Sequence, residues 1–153
     1  MLPESKWKQY GLPGATIKGI VIHNTNNQNK SAEALETWLM ENRTSQGCHY
    51  LVDKKEVRQV MPLDWSVFNT GMGLDFGNLH CISIEIISHQ SEADCLKAEQ
   101  RALKLIRKLM KQFSLTEDDI YFHRDFQPNV NCPAQIIRRY GTKQNFLQLL
   151  KGE

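Results

Sequence analysis

Residues 80–88, HCISIEIIS, form an almost unbroken β-branched run whose single acid is Glu85. A strand this rich in isoleucine belongs in the middle of a sheet. The rest of the chain supplies its surroundings. Residues 17–22, IKGIVI, predict a second buried strand, bounded by Pro13-Gly14 before it and an asparagine-rich stretch after it. Ser31 is a favourable N-cap for a surface helix with Leu35, Trp38 and Leu39 on one face. HYLVD and VRQVM, either side of Lys54-Lys55-Glu56, predict a hairpin, and a loop carrying Gly71, Gly73 and Gly77 follows.

Residues 92–113 place Leu96, Leu103, Ile106, Met110 and Phe113 at helical spacing among lysines, arginines and amides, which predicts the longest helix. Residues 120–122 predict a short strand, followed by the loop HRDFQPNVNC. Pro133 then stands where a first helical residue would, opening AQIIRRY, and residues 142–150 predict a last helix. Strands alternating with helices, plus one hairpin, give an α/β fold: a central mixed β-sheet flanked by helices. A length of 153 residues suits a single domain, with its core over about residues 17–140.

Charge narrows the function. Nineteen Lys and Arg against 17 Asp and Glu leave a net charge of +2, scattered along the chain, so nothing points to nucleic acid. No apolar run approaches the roughly 20 residues that cross a bilayer, and no membrane role is expected. Residues 1–16 lack the apolar core of a secretory signal. If the chain is the complete gene product, it is expected to be made in the cytosol. Cys48, Cys81, Cys95 and Cys132 are then expected to stay reduced, which leaves a thiolate free to bind a metal. Oligomeric state is not specified by any pattern in the sequence.

Two histidines sit at predicted strand ends: His23 after IKGIVI and His123 after IYF. Loops at strand ends are where α/β sheets gather their sites. Cys132 follows nine positions beyond His123, close enough for the loop to fold back. Two imidazoles and a thiolate make a plausible catalytic zinc set, since three protein ligands leave a fourth position open. Glu85 is placed to exchange protons with a reacting water, and burial would raise its pKa into a useful range. Taken singly, each residue has a plainer reading: a packed histidine, a small buried thiol, a strand carboxylate facing solvent.

Four stretches change that balance: IVIHNT at 20–25, GCHYLVD at 47–53, ISIEI at 82–86 and HRDFQPNVNCP at 123–133. In their order and spacing the chain resembles the type 2 N-acetylmuramoyl-L-alanine amidases, which include phage endolysins, bacterial autolysins and animal peptidoglycan recognition proteins. The resemblance implies a Zn2+ cofactor held by His23, His123 and Cys132, and Glu85 as the catalytic carboxylate. It implies hydrolysis of the amide between N-acetylmuramic acid and L-alanine, with bacterial peptidoglycan as partner. A chain of this kind without a signal suits a phage-type lysin released through a membrane pore, or a catalytic domain of a larger enzyme.

The departures are specific. Val130 stands where many active members carry a lysine that steadies the oxyanion, and losing such a donor costs about 2.7 to 4 kcal/mol. Zinc itself and Arg124 are the two candidates to take over that role. Cys48 stands where other members carry a catalytic tyrosine, and FNTG at 68–71 replaces a WHAG-like stretch, putting Asn69 at a common histidine position. Asn24, Asn69 and Arg124 are the candidate substrate contacts, and a non-catalytic peptidoglycan-binding module is the alternative function. The polar run at 24–28 is open between a substrate groove and a plain loop. Arg124 and Asp125 are open between orienting the ligand loop and pairing with each other. His49 is read as a hydrogen-bonded core histidine, His80 and His89 as solvated, and Trp65, Phe68 and Phe76 as core aromatics.

Overall fold

The computed structural model describes residues 1–26 and 30–152. Five strands form one mixed sheet: β1 (Gly19–Asn24), β2 (Tyr50–Val52), β3 (Val57–Gln59), β4 (Cys81–Ile86) and β5 (Ile120–Phe122). Their order across the sheet is β3-β2-β4-β1-β5, which puts the β-branched run of β4 in the middle, as its composition demands. β4 runs parallel to β1 and β2, β5 runs parallel to β1, and only the β2–β3 hairpin is antiparallel. The hairpin turn is fastened by Asp53, whose Oδ1 accepts from the Lys55 and Glu56 N–H groups at 2.6 and 2.7 Å.

Two apolar clusters fill the layers on the sheet. One packs the long helix α4 (Glu92–Phe113) against the sheet through Ala98, Ala102, Leu103, Ile106 and Leu109. Ser91 caps this helix and Ser114, in the left-handed region, ends it. Leu96 is 38% exposed, so the apolar face is shifted from the predicted one: the small Ala98 and Ala102 make the close contact instead. The other cluster joins helix α2 (Ala32–Glu41), capped by Ser31, to Leu51, Met61 and Val67. Leu35 and Leu39 are buried there as predicted, but Trp38 is 42% exposed.

Several elements differ from the sequence expectation. A helix at Glu4–Tyr10, α1, was not foreseen; Tyr10 is fully buried and its hydroxyl donates to the Leu39 carbonyl at 2.5 Å. The glycine-rich loop leads into a short helix α3 (Phe76–His80) capped by Asp75. The first strand is shifted two residues on, so His23 lies inside β1 rather than after it. A short helix, α5 (His123–Phe126), forms within the stretch expected to be loop, whereas α6 (Ala134–Tyr140) covers the predicted AQIIRRY with Pro133 as the residue before it rather than its first. The last helix, α7 (Lys143–Leu147), is shorter than predicted and continues as a 3-10 turn over Gln148–Lys151.

His49 is the core histidine expected: its Nε2 donates to the Trp65 carbonyl at 2.8 Å and its Nδ1 accepts from the Ser83 N–H at 2.9 Å. His89, expected to be solvated, is buried, and its Nε2 accepts from the Lys54 N–H at 3.3 Å. It lines a small cleft with Asp53, Lys54 and Asp94 beside the N-terminus of α4. Trp65 stacks edge-on against Trp7, with ring centroids 5.6 Å apart.

Candidate metal centre

Sheet register builds the site. His23 pairs with Glu85 between β1 and β4, and Glu85 with Leu51 between β4 and β2. Ile22 pairs with Phe122, so His123 follows one step on, level with His23. Leu51, Glu85, His23 and His123 therefore form one row across the carboxyl ends of four strands, and residues in register point to the same face. Cys132 returns to this row because the loop closes on itself: the Arg124 N–H donates to the Cys132 carbonyl at 3.1 Å. Asp125 braces the same loop, accepting from the Phe122 N–H at 2.8 Å and from the Lys143 ammonium at 3.3 Å.

One donor atom from each of His23, His123 and Cys132 lies within 4.8 Å of the others. The Cys132 Sγ and His23 Nδ1 are 3.7 Å apart. Two ligands on a tetrahedral zinc, at about 2.05 Å for nitrogen and 2.3 Å for sulfur, would sit about 3.6 Å from each other. The observed separation fits that spacing. Both rings are also held in the required tautomer. His23 Nε2 lies 2.9 Å from Asn69 Oδ1, and His123 Nε2 lies 3.1 Å from the Thr70 carbonyl. Since both partners are acceptors, each Nε2 carries the proton and each Nδ1 presents a lone pair.

Electrostatics agree. Burial and the neighbouring His123 push His23 down to about 3, against the opposing pull of its Asn69 bond, so its ring is neutral. Burial and the Glu85 charge raise Cys132 to about 12, so its thiol ionises at neutral pH only beside a cation. Burial alone raises Glu85 to about 8. Its Oε2 is buried with no hydrogen-bond partner among the described residues.

These groups open onto a cleft of about 650 Å³. Leu35, Trp38, Leu39 and Leu51 make an apolar wall, and Asn26, Gln46, Asn131 and Val130 a mixed one. Trp38 thus faces the cleft rather than the core, and its exposure follows from that. The three candidate substrate contacts fare differently. Asn24 is committed to the fold: its Oδ1 accepts from the Gln135 and Ile136 N–H groups at 3.0 and 3.1 Å, and its Nδ2 donates to the Ile86 carbonyl. It caps the start of α6 and so helps set the Cys132 loop, while still lining the cleft. Asn69 is consumed by His23. Arg124 is not among the cleft-lining residues, and neither are Trp65, Phe68 and Phe76. Of the polar run at 24–28, Asn27 and Gln28 lie outside the described residues.

The same mixed sheet flanked by helices occurs in solved structures. The structure of PlyL matches with a TM-score of 0.89 at 26% identity, covering 97% of this chain and 92% of that one. The PlyG catalytic domain matches with a TM-score of 0.89 at 27% identity, covering 99% and 91%. The chain belongs to the N-acetylmuramoyl-L-alanine amidase family, whose model matches residues 13–135. Among curated relatives, N-acetylmuramoyl-L-alanine amidase CwlH of Bacillus subtilis (strain 168) is 31% identical over 129 residues, 82% of this chain and 51% of that protein. CwlA of the same strain is 32% identical over 120 residues, 77% of this chain and 43% of its own length. The chain thus spans about half the length of the curated relatives it matches, or a little less.

Proposed function

We propose that this chain is a zinc-dependent N-acetylmuramoyl-L-alanine amidase that hydrolyses the amide between N-acetylmuramic acid and L-alanine in bacterial peptidoglycan, acting at the cell wall as a lysin or autolysin unit. The observation that carries the reading is the meeting of His23, His123 and Cys132 within 4.8 Å in a cleft that Glu85 also lines. Those three residues would hold the ion, which supplies Lewis acidity toward the scissile carbonyl and toward water.

Glu85 does the proton work. Its carboxylate takes a proton from the attacking water as the new C–O bond forms. The same proton then goes to the departing nitrogen as the C–N bond breaks, leaving a lactyl carboxylate and a free L-alanine amine. A side chain whose acidity lies near 8 is matched to giving and taking protons near neutrality, and a positive charge on the adjacent ligands would draw it lower. The apolar wall around Trp38 excludes water from one side of the reacting group and offers a surface for the substrate. The family's amidase name and the PlyL and PlyG likeness support the same substrate class.

Glu85→Ala should lower the release of stem peptide from purified muropeptides by about a thousandfold, within the range for a lost general base, with bound zinc unchanged. Mass spectrometry of the products reads it, and full release by the variant would remove Glu85 from the chemistry. Val130 in the cleft wall favours one other reading, a peptidoglycan-binding module of low turnover. Binding of muropeptide by the unaltered chain without peptide release would establish that reading instead.

A further inference from the structure

Both candidate ligand histidines are oriented by neighbouring residues of a single loop, Asn69 and Thr70. One side chain bonds the backbone of both. Asn78, in α3, is 1% exposed. Its Oδ1 accepts from the Asn69 N–H at 2.6 Å, from the Thr70 N–H at 2.9 Å, and from the Asn69 Nδ2 at 3.2 Å. Its Nδ2 donates to the Gly73 carbonyl at 2.6 Å, and its own N–H is held by Asp75 Oδ1 at 2.8 Å. The consequences run outward in two directions. Fixing Asn69 fixes the amide whose Oδ1 faces His23, because the Asn69 Nδ2 is turned away toward the Val67 and Gly77 carbonyls at 2.8 and 3.3 Å. Fixing Thr70 fixes the carbonyl that accepts from His123. Thr70 is pinned again where its hydroxyl donates to Asp75 Oδ2 at 2.9 Å.

We infer that Asn78 is a positioning residue for the metal centre: by clamping two consecutive backbone N–H groups, it holds both histidines ready with Nδ1 toward the ion. The inference rests on the metal reading proposed above. It explains why α3 packs so tightly on the loop. A Cβ on Gly77 would come within 2.6 Å of Thr70 Cγ2 and 3.0 Å of the Phe126 ring, so only glycine lets Asn78 reach the Asn69–Thr70 backbone. Partners behind the ligands set ring orientation and metal affinity without touching the ion.

The test uses the whole chain, zinc alone as ligand, and two variants. Asn78→Ala removes the acceptor, whereas Asn78→Asp keeps it, replaces the donor to Gly73 by a second oxygen and adds a negative charge. Zinc affinity is read by competition with a chromophoric chelator well below the unfolding temperature, and imidazole tautomers by 15N NMR of the metal-free proteins. Asn78→Ala should bind zinc at least about tenfold more weakly and lose the Nε2–H preference of His23 and His123. Asn78→Asp should stay within about threefold of the unaltered protein in affinity and keep both tautomers. A folded Asn78→Ala with unchanged affinity and tautomers overturns the inference. So does an Asn78→Asp that weakens zinc tenfold, and this variant decides alone if Asn78→Ala does not fold. If the unaltered protein binds no zinc, it is the metal reading that fails.

Discussion

Glu99 and Glu85 both keep carboxylate oxygen out of water, and they do so for different ends. Glu99, on α4, is 2% exposed and accepts from the Arg139 guanidinium and from the Tyr140 hydroxyl at 2.9 Å, tying α6 to the long helix. Glu85, on β4, is half-buried at the cleft, and its Oε2 has no hydrogen-bond partner among the described residues. Burial raises the pKa of both, but at Glu99 the arginine and tyrosine pull against it, whereas at Glu85 nothing does. A buried carboxylate surrounded by partners is fixed in one charge state and serves the fold. One left without partners at the wall of a cleft is poised to change charge state, at a cost in stability that the fold carries elsewhere.

The comparison is sharpest when both are altered. Glu85→Ala should remove about a thousandfold of activity while leaving stability unchanged or higher, since it deletes a buried oxygen without a partner. Glu99→Ala should do the reverse, costing about 3 to 5 kcal/mol by stranding part of the Arg139 charge while turnover of the folded protein stays within a few-fold. Urea unfolding and muropeptide release, run on both variants, separate the two roles. A Glu85→Ala protein that is both inactive and strongly destabilised would break the distinction.

His49 extends the contrast to histidines, because both its nitrogens are used inside the fold whereas His23 turns one toward Cys132. Burial lowers His49 to about 4 from an ordinary value of 6.5. The unfolded chain therefore takes up a proton first as pH falls. The stability from keeping this ring neutral is complete above about pH 6.5 and is lost down to about pH 4, by about 3 kcal/mol. Urea midpoints measured from pH 7 to pH 4 should fall over that window, and His49→Gln should flatten the fall. An unchanged slope in that variant would place the titration elsewhere.

Much of this was legible in the chain and some was not, for identifiable reasons. The strands and the long helix announce themselves because hydrophobic periodicity survives in one dimension; α4 begins and ends at the predicted residues. His23, Glu85, His123 and Cys132 were readable as a set chiefly through the resemblance carried by four stretches, since each residue taken singly had a plainer reading. α1 was missed because it is seven residues long, has no side-chain N-cap, and depends on Tyr10 packing under α2. Trp38 looked like a core residue because helical spacing shows which face it occupies but not that this face borders a cleft. The structural bonds of Asn24, Asn69 and Asn78 were not legible for a common reason: they depend on which groups each amide meets, and spacing does not encode that. The one available signal for Asn78 was Asp75 three residues before it, a capping pattern inside a glycine-rich loop.

The account stands on two imidazoles and one thiolate sharing an ion, and X-ray absorption at the zinc edge examines that shell directly. The unaltered protein loaded with one equivalent of zinc should show a single sulfur at about 2.3 Å with nitrogen or oxygen at about 2.0 to 2.1 Å, and Cys132→Ser should lose the sulfur. A zinc shell without sulfur in the unaltered chain, or one that keeps its sulfur in Cys132→Ser, would contradict it.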